Sequence, residues 1–110
     1  DNSPWGKILK ISISDEGLSA VVYTKGHRNP QGIAKIDGAI YAVEHGPRGG
    51  DEINIISEGL NYGWPLHSFG SEYDLTPINK DLSKIKSSTK PLFSFVQSIG
   101  ISYIGNCPSS

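Results

Sequence analysis

Three short segments hold most of the residues able to do chemistry. They are Gly26-His27-Arg28-Asn29-Pro30-Gln31-Gly32, Glu44-His45-Gly46-Pro47-Arg48-Gly49-Gly50-Asp51-Glu52-Ile53-Asn54 and Asn61-Tyr62-Gly63-Trp64-Pro65. In the first, Arg28 offers a planar fork of donors suited to carboxylates, and Asn29 and Gln31 can read carbonyls or ring nitrogens. Together they suit a planar polyanionic ligand. The plainer alternative is a loop arginine paired with an acid, and two amides that satisfy turns. In the second segment, Glu44, Asp51 and Glu52 supply hard oxygen ligands, and the Gly-rich turn between them leaves peptide carbonyls free to face a cation. Such donors favour Ca²⁺ over transition metals. The spacing is not that of an EF-hand loop, and a solvated acidic turn competes as an explanation.

Other chemistries find no support. His27, His45 and His67 show neither HxH nor HExxH spacing, which argues against zinc. The glycine loop lacks the Gly-Lys-Ser/Thr ending of a phosphate-binding loop, there is no GxSxG elbow, and Cys107 has no local base. Trp64 reads as a strand-end aromatic. The lysines at 80, 84, 86 and 90 read as a solvated face.

Each of the three segments follows or joins a run with period-two apolar patterning, so strands must position them. Leu9, Ile11 and Ile13 share one face of Lys7 to Ser14, and the turn Ser14-Asp15-Glu16-Gly17 leads into a run from Ala20 to Thr24. Asp37-Gly38 joins Ile33–Ile36 to Ala39–Val43 as a hairpin. The second of these runs is apolar on both faces, as expected of a strand covered on both sides. Glu52 to Ile56 follows the glycine loop. Residues 66 to 90 are polar and read as a surface excursion, with Leu82 and Ile85 able to mark one helical turn. Strand character returns at Leu92 to Val96 and at Ile99 to Ile104, where Ile99, Ile101 and Tyr103 alternate. The pattern predicts an all-β, antiparallel chain with short strands at roughly ten-residue spacing.

The composition agrees. The 110 residues include 13 Gly and 7 Pro, with 36% hydrophobic residues, which fits a loop-rich β chain with a thin core. A net charge of −1 argues against a nucleic-acid or anionic-membrane partner held by a general positive field. No apolar run has the length of a membrane-spanning helix. The first residues do not read as a secretory leader, and the lack of any Met is expected of a processed chain or an excised piece. One cysteine cannot form an internal disulfide, so the redox compartment stays open.

In order and spacing, the segments GHRNPQG at 26 to 32, EHGPRGGDEIN at 44 to 54 and NYGWP at 61 to 65 resemble the soluble pyrroloquinoline-quinone (PQQ) sugar dehydrogenases. This group is also called the glucose/sorbosone or aldose sugar dehydrogenase family. Gly6-Lys7-Ile8-Leu9-Lys10-Ile11 resembles the strand preceding them, so the likeness is dense from about 6 to 65 and faint from 91 to 108. It implies four-stranded antiparallel blades of a six-bladed β-propeller, of which this chain holds about two: a single partial domain over 1–110. The first blade region is expected at about 6–57, a loop excursion at 58–90 and the start of the next blade at 91–110.

The resemblance further implies PQQ and Ca²⁺ as cofactors and an aldose as the full-length family's substrate, oxidised to a lactone. Arg28 and Asn29 match residues that contact the quinone, with Gln31 and His45 near the same pocket and Asp51 matching a pocket acid. Peptide carbonyls at Gly46 and Pro47 match those holding the Ca²⁺ that polarises the quinone. Glu52 and the Tyr62 carbonyl match a second, structural Ca²⁺ site. The family's general-base histidine lies on an earlier blade, and none of His27, His45 or His67 occupies its motif. The chain alone is therefore expected to be inactive, with no catalytic residue assigned. The alternative is a non-catalytic binding module that self-associates through exposed blade faces. Family analogy places it in the periplasm or outside the cell.

Overall fold

Asp37 and Gly38 both adopt positive φ, 49° and 84°, the pairing that a two-residue β-hairpin turn requires. That turn organises the main sheet. The computed structural model describes residues 2–79, 83 and 86–108. Its strands are β1 (Lys7–Ser14), β2 (Gly17–Lys25), β3 (Pro30–Ile36), β4 (Ala39–Glu44), β5 (Asp51–Ile56), β6 (His67–Ser71), β7 (Pro77–Asn79) and β8 (Phe93–Phe95). All pairings between them are antiparallel. β1 and β2 form a hairpin, β3-β4-β5-β8 form a four-stranded sheet, and β6 and β7 form a second two-stranded unit. Among the described residues no helix is long and apolar enough to cross a membrane.

The central strand β4 is the best covered, as its two apolar faces require: Ala42 and Val43 are buried. Ala42, Ile56 and Tyr62 form the core, with Ile8, Tyr23 and Ile40 packed against it. The core is thin because the chain is flat. Its principal extents are 50 × 44 × 22 Å, and its radius of gyration is 15.1 Å. A compact domain of this length would have about 13 Å. Consequently Ile11, Ile13, Leu18 and Val21 on the β1–β2 hairpin stay exposed. On the face shared by Leu9, Ile11 and Ile13, Leu9 is more than half covered, while Ile11 and Ile13 stay mostly exposed within the described chain.

The blade boundaries differ from those expected, and the hydrogen bonds explain why. The expected first region, 6–57, divides between two sheets at residues 26–29, where the amides of Arg28 and Asn29 turn to a side-chain carboxylate instead of a neighbouring strand. The excursion at 58–90 contains the β6–β7 pair, and Ser71 folds back onto Arg48 through an isolated bridge. Residues 93–95 do not open a new sheet; they pair with β5 and complete the existing one. Ile99–Ile104 forms no strand, because the amides of Ile99, Gly100 and Ile101 are bound by the Asp51 carboxylate. Leu82 and Ile85, with Lys80 and Lys84, lie outside the described residues.

Candidate functional site

Register brings the polar segments together. Pro30 pairs with Glu44 and Glu44 with Glu52, so the loop before β3 and the loop between β4 and β5 lie side by side at one end of the sheet. The third segment is laced to the end of β2: Lys25 N–H donates to Leu60 O (3.1 Å), Tyr62 N–H to Lys25 O (2.9 Å) and Trp64 N–H to Gly26 O (2.9 Å). This lacing needs a glycine at 26, where φ is +78° and a Cβ would run into Asn61 and the Tyr62 and Gly63 amides. Gly46 is equally constrained, since a Cβ there would meet the Gly49 and Gly50 backbone of its own loop.

At the centre sits Glu44, buried and saturated. Its Oε1 accepts from Asn54 Nδ2 (3.0 Å) and lies 3.0 Å from His27 Nδ1. Its Oε2 accepts from the backbone N–H of Arg28 (2.8 Å) and Asn29 (3.4 Å). His27 in turn places Nε2 2.9 Å from Thr24 Oγ1 and stacks on Tyr62 with centroids 4.7 Å apart. Thr24, His27, Glu44 and Asn54 are all buried. A buried carboxylate is tolerable only when its lone pairs are used, and here they fix the backbone of the arginine loop.

Arg28, held by that loop, lays its guanidinium 5.5 Å from the centre of the Trp64 ring and donates from Nη1 to His45 O (3.4 Å). Beside it opens a cleft of about 10 Å³ lined by Arg28, His45, Gly46, Glu52, Tyr62 and Trp64, among others. That is the space of one water or one ion. His45 Nε2 is buried without a hydrogen-bond partner, and so is Asn54 Oδ1. Glu52 also lacks a full complement. Burial, the neighbouring Glu44 charge and a single weak hydrogen bond from Asn54 leave its carboxyl pushed up to about 7. Among the described residues, no three His, Cys, Asp or Glu side chains gather to hold a metal. A cation here would have to take peptide oxygens.

Of the residues singled out by sequence, Arg28, His45, Gly46, Glu52 and Tyr62 line this one cleft. Pro47 does not line it. Asn29 and Gln31 sit on the exposed rim and bind each other, Gln31 Nε2 donating to Asn29 Oδ1 at 2.8 Å. Asp51 is fully buried, and its carboxylate accepts from Gly46 N–H, the Ser98 hydroxyl and the N–H groups of Ile99, Gly100 and Ile101. No lone pair remains for a ligand. Sequence reasoning weighed Glu44 only as a possible cation ligand and treated His27 as ordinary. The signal for both was available: a carboxylate at the end of a doubly covered strand must find buried donors.

A four-stranded antiparallel sheet with its polar loops gathered at one end is one blade of a β-propeller, and the chain as a whole is a partial propeller. The chain belongs to the glucose/sorbosone dehydrogenase family, whose model matches residues 6–107. It is 42% identical over 93 residues to Aldose sugar dehydrogenase YliI of Escherichia coli (strain K12), covering 82% of this chain and 25% of that protein. It is 49% identical over 61 residues to Quinoprotein glucose dehydrogenase B of Acinetobacter calcoaceticus, covering 54% of this chain and 13% of that one. A crystal structure of glucose dehydrogenase superposes with a TM-score of 0.75 at 38% identity, over 88% of this chain and 32% of the other. The chain thus spans 25% and 13% of the length of these two relatives and 32% of the solved chain.

Proposed function

We propose that this chain is the part of a PQQ- and Ca²⁺-dependent aldose sugar dehydrogenase that carries one side of the cofactor site. The observation supporting this is that Arg28, the Gly46 peptide and a buried His45 nitrogen without a partner share one ion-sized cleft. The residues present fit such a group. A guanidinium supported by an indole suits a quinone carboxylate or carbonyl, and a cleft of this size suits a cation held by the Gly46 carbonyl, with the Pro47 carbonyl next along the loop outside its lining. The raised, half-satisfied Glu52 and the Tyr62 carbonyl suit a second cation. When bound, a quinone of this kind accepts hydride from the sugar, and a divalent cation makes it a better acceptor. The chain's own contribution is orientation: Glu44 sets the Arg28 and Asn29 backbone, and Asp51 sets the Gly46 amide. Asn29 and Gln31 would complete the rim.

Binding is measured by titrating PQQ with Ca²⁺ and following the quinone absorbance. Arg28→Ala is expected to weaken it by about 2 kcal/mol, the loss of a charge-assisted contact. No binding at millimolar Ca²⁺ would refute the reading. Sugar oxidation is expected to require residues outside this chain, and export to the periplasm follows only from the family assignment. A second reading, self-association, rests on the exposed Ile11, Ile13, Leu18 and Val21 of the β1–β2 hairpin. Light scattering decides it: a strict monomer removes it.

A further inference from the structure

A larger hollow, of about 470 Å³, adjoins the ion-sized cleft and shares His67 and Ser68 with its walls. Arg48, Phe69, Ser71 and Val96 border the rest of it. Its volume is that of a small-molecule site. Two features of the chain build it. β6 pairs with β7 through an irregular register between His67 and Ser71, so successive residues of one strand turn to the same hollow instead of alternating between faces. Glycines let β6 lie backbone to backbone on the glycine loop: a Cβ at Gly50 would run into the Gly70 nitrogen, and one at Gly70 into the Gly49 oxygen. Ser71 N–H donates to Arg48 O at 3.1 Å and closes the contact. Arg48 is thereby held at one wall while remaining exposed.

The chemistry of the walls is one-sided. Arg48 is the permanent charge on them, its guanidinium pairs with no acid among the described residues, and none of those that border the hollow is Asp or Glu. Burial first, and then the charge of Lys90, hold the His67 imidazole below its ordinary value. At neutral pH that ring is uncharged, with one nitrogen to donate and one to accept. The Ser68 hydroxyl accepts from Gly70 N–H at 3.1 Å and keeps its own proton to give, and Ser71 adds a second hydroxyl. Phe69 is 49% exposed, and an edge contact with His67, centroids 5.0 Å apart, fixes its ring. The set offers a planar fork of donors for a carboxylate, neutral polar groups for hydroxyls and a phenyl face for the C–H face of a pyranose. One guanidinium balances the single charge of a carboxylate better than the nearly double charge of a phosphate ester. We propose that this hollow binds a uronic acid, with the carboxylate on Arg48, the hydroxyls at His67, Ser68 and Ser71 and the sugar ring against Phe69.

The 110-residue chain is titrated, without cofactor, with glucuronate, glucose, acetate and inorganic phosphate, and its amide resonances are followed by NMR. Glucuronate should shift Arg48, Phe69, Ser71 and Val96 saturably. Glucose lacks the carboxylate and acetate lacks the ring, so each should bind about tenfold more weakly or worse. Arg48→Gln should weaken glucuronate by about tenfold, as expected for the loss of a charge-assisted contact. Arg48 is exposed, and circular dichroism verifies that the variant folds. Glucose, acetate or phosphate binding as tightly as glucuronate, an unchanged Arg48→Gln variant, saturable shifts confined to other parts of the chain, or no saturable response would each overturn the proposal. No cofactor takes part, so a chain that binds PQQ but no glucuronate keeps the cofactor reading and refutes the uronate site alone.

Discussion

Replacing Asp51 by Asn tests whether this buried acid organises the site instead of meeting a ligand. The side chain keeps its size and one acceptor. Oδ2 now accepts from the N–H groups of Ile99 (3.0 Å), Gly100 (2.9 Å) and Ile101 (3.3 Å), and Oδ1 accepts from Gly46 N–H (3.2 Å). With the amide oxygen toward 99–101, the new NH₂ confronts the Gly46 N–H, donor against donor. The flipped amide confronts three. One buried donor left unmet and the charge assistance lost from the rest come to about 3 kcal/mol. Urea unfolding at pH 7 should show that loss as a lower midpoint at constant slope. Amide exchange should quicken together at Gly46 and at Ile99–Ile101, although some fifty residues of chain separate them. The pH dependence has a definite sign. Burial alone would raise the carboxyl, but the Ser98 hydroxyl and the amides of Ile101, Gly46 and Ile99 outweigh it and hold it below 3.8. Its stabilisation is therefore present above 3.8 and lost as pH falls through the lower folded value. The gap between wild type and variant should close in strong acid. A variant within about 0.5 kcal/mol of wild type, with unchanged exchange at 99–101, would refute the clamp.

Two further perturbations follow from the same buried network. Glu44→Ala should cost about 3–5 kcal/mol, because it strands His27, Asn54 and two backbone amides. Glu44→Gln, the milder change, should shift the Arg28 and Asn29 amide resonances most, and a spectrum perturbed elsewhere but not there would contradict the anchoring role. Glu52 behaves in the opposite sense to Asp51. Its folded carboxyl at about 7 lies above its unfolded value of 4.5, so the folded state holds the extra proton between these limits. Stability should fall by about 2 kcal/mol as pH rises through that window, solvent screening included, and Glu52→Gln should flatten the slope. A wild-type profile flat from pH 4.5 to 7 would count against it.

Strand positions were legible in the sequence wherever the chain solved its hydrogen bonding locally. β1 occupies the expected Lys7–Ser14, and Asp37-Gly38 turns the hairpin, because period two and turn chemistry are short-range properties. Sheet membership was less legible. Phe93–Phe95 pairs with β5 across an insertion that contains β6 and β7, and no local pattern encodes that choice. Ile99–Ile104 shows the alternation of a strand yet is not one, since its amides meet a carboxylate from far up the chain. The site followed the same rule. Residue types suited to an anion and a cation were visible, and most of them do share a cleft. Which acids would be consumed by the scaffold was not visible, because that depends on donors distant in sequence.

The three acids of the glycine-loop region show how the division of labour works. Glu44, Asp51 and Glu52 looked equivalent as hard oxygen ligands. Folding makes them unequal. Glu44 satisfies four donors and Asp51 five, so neither has capacity for an outside partner. Burial first, and then the repulsion of Glu44, raise the Glu52 carboxyl against one weak bond from Asn54, which leaves it the acid with most to gain from a cation. The saturated pair adds to that condition: Glu44 adds its repulsion to the burial that already raises Glu52, and without Asp51 the Gly46 amide would lose its anchor. Among the described residues, five polar or charged ones are buried alongside five hydrophobic ones, so much of the interior goes to this arrangement. That investment makes sense if the loops it holds must meet a ligand in one fixed geometry.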